Sequence, residues 1–100
     1  MMKCGGTSDV KDATEEIQKI CDQIRSALEE KAGRAFSSYK AKSYKSQVVA
    51  GTNYFVKLDI DDGKEYIHAR IFVPLPHTGG NPELHSHQAG KSAEDEIVYF

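Results

Sequence analysis

A cysteine thiol beside a histidine imidazole can act as a nucleophile, and this chain carries Cys4 and Cys21 together with His68, His77, His85 and His87. Cys21, however, falls within a run of Ile17, Ile20, Ile24 and Leu28 at spacings of three and four, the position of a packed core thiol. Cys4 stands beside Gly5 and Gly6 in a polar lead, where an exposed thiol can link two copies on oxidation. His77, His85 and His87 are donors to a transition metal, but loop histidines at this spacing are ordinarily only solvated, so no metal and no cofactor are expected. No glycine-rich phosphate cradle and no paired carboxylates stand out, and the chain is not expected to be an enzyme. Tyr39, Lys40, Lys42, Tyr44 and Lys45 interleave aromatic with basic residues, as stacking surfaces for nucleic acid do. Against that reading, 13 Lys+Arg and 15 Asp+Glu give a formal charge of −2, too little field to recruit nucleic acid or an anionic membrane.

The elements that must position these residues are legible as two periods. Asp12 is an N-cap candidate with Glu15 three positions on, the pattern of a capping box. The apolar stripe Ile17, Ile20, Cys21, Ile24, Ala27 and Leu28 follows, and Gly33 ends it. These signals predict one helix over residues 13–32, preceded by a flexible lead over residues 1–11. After Gly33 the period falls to two. Tyr39–Ser46 is expected as a first strand, Tyr54–Ile60 as a second, and Tyr66–Val73 as a third, with an Asp62-Gly63 hairpin between the last two. Residues 74–93 hold three prolines and several glycines and are expected as a long loop before a short strand at 96–100. The fold class is α+β in one domain spanning residues 1–100: a twisted antiparallel sheet of four to five strands wrapped on one long helix.

Gln47-Val48-Val49-Ala50-Gly51 breaks this order. It lies where the first two strands must turn, yet turn tips ordinarily carry Asn, Asp, Gly or Pro. Two readings stay open: an apolar tip that a partner removes from water, or a strand continued into the core. In a meander, alternate turns share one end of the sheet, so this turn and Pro74-Leu75-Pro76-His77 are expected together. The helix start, and the lead carrying Cys4, Gly5 and Gly6, return to that same end.

Gln47–Gly51 followed by Thr52-Asn53-Tyr54-Phe55, an N-terminal Gly5-Gly6 and a Leu75-Pro76 turn resemble the cystatins. The ending Glu96-Ile97-Val98-Tyr99-Phe100 and the lack of bridges are similar to the type 1 members, the stefins. The resemblance covers nearly the whole chain. It implies a cystatin-like fold and reversible, tight-binding, non-covalent inhibition of papain-like cysteine proteases of the cathepsin type. It further implies that Cys4, Gly5 and Gly6 lie along one side of the protease cleft, with either glycine as the pivot. Gln47, Val48, Val49, Ala50 and Gly51 would form the first wedge on the other side, and Leu75, Pro76 and His77 the second. No nucleic-acid and no membrane partner is expected. The alternative is a non-enzymatic domain that binds nucleic acid or another protein through the Tyr39–Lys45 strand.

Two cysteines and no apolar leader suit a reduced, cytoplasmic location, with the nucleus as a further one. A monomer is expected, with dimers formed through Cys4 oxidation or hairpin exchange.

Overall fold

A computed structural model describes residues 9–75, 80–98 and 100. The helical region begins where Thr14 accepts a hydrogen bond from the Ile17 N–H (3.3 Å). Thr14, and not Asp12, is therefore the cap, and Glu15 and Glu16 place negative charge on the first turn. The predicted single helix is two abutting segments, α1 (Glu15–Gln23) and α2 (Arg25–Ala32). Ile24 between them has left helical geometry (φ −104°, ψ 8°), and its N–H reaches back to the Cys21 carbonyl. That carbonyl also accepts the Tyr39 hydroxyl at 2.5 Å, so an inserted side chain competes for the acceptor that an uninterrupted helix offers to Arg25. Gly33 closes α2 in the left-handed region (φ 79°), as expected.

Among the described residues five strands form one antiparallel sheet in sequence order: β1 (Lys11–Asp12), β2 (Lys40–Val49), β3 (Gly51–Asp59), β4 (Tyr66–Val73) and β5 (Glu83–Lys91). The lead, expected unstructured to residue 11, instead joins the sheet at its end, where Lys11 pairs with Tyr44 and Asp12 with Ser43. The segment expected as a long loop contains β5, which pairs with β4 from Tyr66↔Lys91 to Phe72↔Glu83. Its side chains are mostly small or polar and its ladder slips register twice, so period two is faint there. The described residues of the expected strand at 96–100 form no ladder.

Alternation in β3 and β4 sends Val56, Leu58, Ile67, Ala69 and Ile71 to the face that packs on Ile17, Cys21, Ile24 and Leu28. The opposite face is covered as well. Phe55 meets the Phe100 ring edge-on (5.6 Å between centroids), Arg70 donates to the Phe100 main-chain oxygen at 2.9 Å, and Lys57 donates to the Ala93 carbonyl at 2.7 Å. The segment after β5 thus straps this outer face, and Phe55, His68 and Ile97 are buried.

Candidate functional site

β2 runs through Val49 and β3 starts at Gly51, so Ala50 alone lies outside the ladder at the turn. The extension of β2 beyond Ser46 decides the open question about the valines. Val48 is 80% exposed and Val49 47%, at the end of the sheet and away from the core. Ala50 is exposed too. Gln47 behaves differently: it is buried opposite Asn53, whose amide donates to its Oε1 at 3.2 Å.

Gly51 is required twice over. Its φ of 126° is one that L side chains rarely adopt, and a Cβ there would stand 2.6 Å from the Val73 carbonyl oxygen and 2.7 Å from the Phe72 ring. That close approach ties the tip to β4. Thr52 pairs with Val73, so the chain leaves β4 at the same end, one strand away from the tip, and continues through Pro74 to an exposed Leu75. Gly80 closes the other side of this second turn, since a Cβ there would lie 2.8 Å from the Pro74 ring. Pro76 and His77 lie outside the described residues, as do Cys4, Gly5 and Gly6. β1 is antiparallel to β2, so Val10 enters β1 from the side of the tip, and it is exposed.

The other chemistry-bearing residues are placed elsewhere. Cys21 is fully buried, and burial, with the Asp22 charge second, pushes its thiol up to about 12. His68 is on the far face of the sheet from it, so the two form no thiol–imidazole pair. His85 stacks on Phe72 (5.4 Å) with its Nε2 3.6 Å from Glu83. Among the described residues no group of three or more His, Cys, Asp and Glu side chains is arranged to hold a metal ion. The Tyr39–Lys45 strand does not offer a stacking surface. Tyr39 is buried, stacks on Phe36 and carries the Arg25 guanidinium over its ring at 4.9 Å, while Tyr44 packs toward the core beside Tyr54. The aromatic groups face the helices, Lys40 and Lys42 are exposed, and Lys45 is half-buried. Among the described residues no helix is long and apolar enough to cross a membrane.

A tight apolar hairpin tip with an exposed Leu75 beyond the neighbouring strand, at one end of a sheet packed on helices, agrees with the family description "Cystatin domain", which matches residues 5–93. The chain belongs to the cystatin family. It is similar to Cystatin-B of Homo sapiens, 48% identical over 99 residues that cover 99% of this chain and all of that protein. Cystatin-B of the fish Oplegnathus fasciatus is 46% identical, with 99% and 98% of the two chains covered. Among solved structures, a secreted type 1 cystatin from Fasciola hepatica superposes with a TM-score of 0.67 over 89% of this chain and 98% of its own, and at 23% identity that likeness concerns the fold. Cystatins are cysteine protease inhibitors and not enzymes, which accounts for a chemistry-bearing Cys21 and His68 that are both sealed in packing. In this cystatin the end of the sheet leaves the apolar side chains of Val48, Val49 and Leu75 in water. The sequence motif read Gln47 with its neighbours as one contact stretch; its burial was hidden because the partner Asn53 lies across the turn.

Proposed function

We propose that this cystatin inhibits papain-like cysteine proteases of the cathepsin type by reversible, non-covalent occlusion of the active-site cleft. Val48, Val49, Ala50 and Gly51 enter as one wedge. Leu75, Pro76 and His77 enter as the second, and the lead segment at Cys4, Gly5 and Gly6 lies along the other side of the cleft. The supporting observation is Val48, 80% exposed at the tip of an ordered hairpin. Apolar side chains held in water by a pre-ordered backbone release free energy when a partner encloses them, about 1.5–3 kcal/mol each when fully buried. Because the sheet already fixes the hairpin, little ordering entropy is lost on binding. No bond of the chain is attacked in this mode of binding, so inhibition leaves the chain intact and the protease thiol free.

The protein acts as a cytoplasmic monomer under this proposal. Titrating active papain with the purified chain tests it: stoichiometric loss of activity, recovered on dilution into substrate and with an uncleaved inhibitor by mass spectrometry, is the expected result. Undiminished papain activity, or a chain cleaved in step with inhibition, contradicts it.

A further inference from the structure

Directly beneath the tip, Gln47, Asn53 and Phe72 form a row across β2, β3 and β4, set by the pairs Gln47↔Asn53 and Asn53↔Phe72. The first two are buried amides joined by the 3.2 Å hydrogen bond, and the Phe72 ring lies against the backbone of Gly51. Asn53 is poorly suited to this place. Asparagine is depleted in strand interiors, where a β-branched residue packs better. Its Oδ1 is buried and has no hydrogen-bond partner among the described residues, which opposes stability. A site that costs stability and sits under a working surface suggests a role at that surface.

We propose that Asn53 is a positioning residue for the apolar wedge, acting through Gln47. The physical basis is register. Side chains alternate faces along β2, so a slip of one residue would exchange the faces of Val48 and Val49. The amides of Gln47 and Asn53 oppose each other in the observed register, whereas a slip would set Asn53 against Ser46 or Val48 and strand a buried amide. The pair therefore holds a turn that has a single residue outside its ladder and carries the exposed Val48.

This inference rests on the wedge reading for its functional consequence, so the test has an arm in the free protein. Backbone ¹⁵N relaxation is measured for wild type, Asn53→Ala, Asn53→Val and the exchanged pair Gln47→Asn/Asn53→Gln, with papain inhibition and thermal midpoints alongside. Order parameters at Val48, Val49 and Ala50 are expected to fall in N53A and N53V and stay unchanged elsewhere in the sheet, while the N53V midpoint is equal to or above wild type. Inhibition weakens about tenfold in Q47A, in N53A and in their combination alike, and the exchanged pair recovers most of it. Unchanged order parameters at the tip overturn the proposal. So do single-variant losses that multiply in the double variant without recovery in the exchanged pair, since Gln47 would then be touching the protease itself. If wild type fails to inhibit papain, the wedge reading fails and the relaxation arm alone decides the role of Asn53.

Discussion

Thr52 pairs with Val73 across β3 and β4, and this register sets the two apolar turns side by side. Strands lie about 4.8 Å apart, so the Val48–Gly51 tip and the chain entering Leu75 project from neighbouring positions of one rigid edge. The closeness of Val48–Gly51 to the chain entering Leu75 is thus a property of sheet register.

Val48→Asp should weaken papain inhibition by well over tenfold, since it removes an apolar burial of about 1.5–3 kcal/mol and adds the desolvation of a carboxylate. Because Val48 is so exposed, the unfolding free energy from urea curves should move by no more than about 0.5 kcal/mol. Inhibition constants and denaturation curves measured on the same preparation separate the two effects.

Gly51→Ala should damage both fold and function. The added Cβ meets backbone as well as the Phe72 ring, and the φ of 126° is strained for any L residue. A loss of roughly 2–4 kcal/mol in unfolding free energy is expected, together with a displaced tip and weaker inhibition.

His68 gives the fold a pH dependence. It is fully buried between the sheet and the strap, its ring nitrogens have no partner among the described residues, and its pKa is lowered from 6.5 to about 4. Burial is the main cause and the Lys57 and Lys91 charges add to it, while Asp95 opposes them. The folded state therefore keeps His68 neutral where the unfolded chain protonates it. Its contribution is fully present above pH 6.5 and is lost as the pH falls toward 4, on the order of 3 kcal/mol in total. Thermal midpoints from pH 7.5 to 4 should drop less in His68→Phe than in wild type. Parallel curves for the two proteins would contradict this assignment.

Tyr39→Phe removes the hydroxyl that competes for the Cys21 carbonyl. About 1–2 kcal/mol of stability should go with that buried hydrogen bond. The Arg25 amide, freed to bond the same carbonyl, should exchange more slowly with solvent than in wild type.

The sequence made the helix stripe legible because Ile17, Cys21, Ile24 and Leu28 keep to one face, and all four are buried. The oddity of Val48-Val49-Ala50 was legible because two valines and an alanine are poor turn residues, but the sequence left a tip in water and a strand packed in the core both open, and the 80% exposure of Val48 decides for the former. What stayed hidden depends on distant partners. The break at Ile24 follows from a hydroxyl that arrives from Tyr39, 18 positions beyond Cys21. β5 draws its strand geometry from the edge of β4, with Leu84 as the side chain packed toward the core. Phe55 and His68 alternate as if facing water, and only the strap after β5 makes that face a second buried layer.

In the proposed mode of inhibition an apolar sheet end fills a protease cleft without any chemistry at the thiol. Isotope-labelled protein mixed with papain whose catalytic cysteine is replaced by alanine tests this most directly. A stable one-to-one complex is expected, with amide shifts concentrated at Val48, Val49, Ala50, Gly51 and Leu75. Failure to bind without the thiol, or shifts confined to the helices and the Tyr39–Lys45 strand, would contradict it.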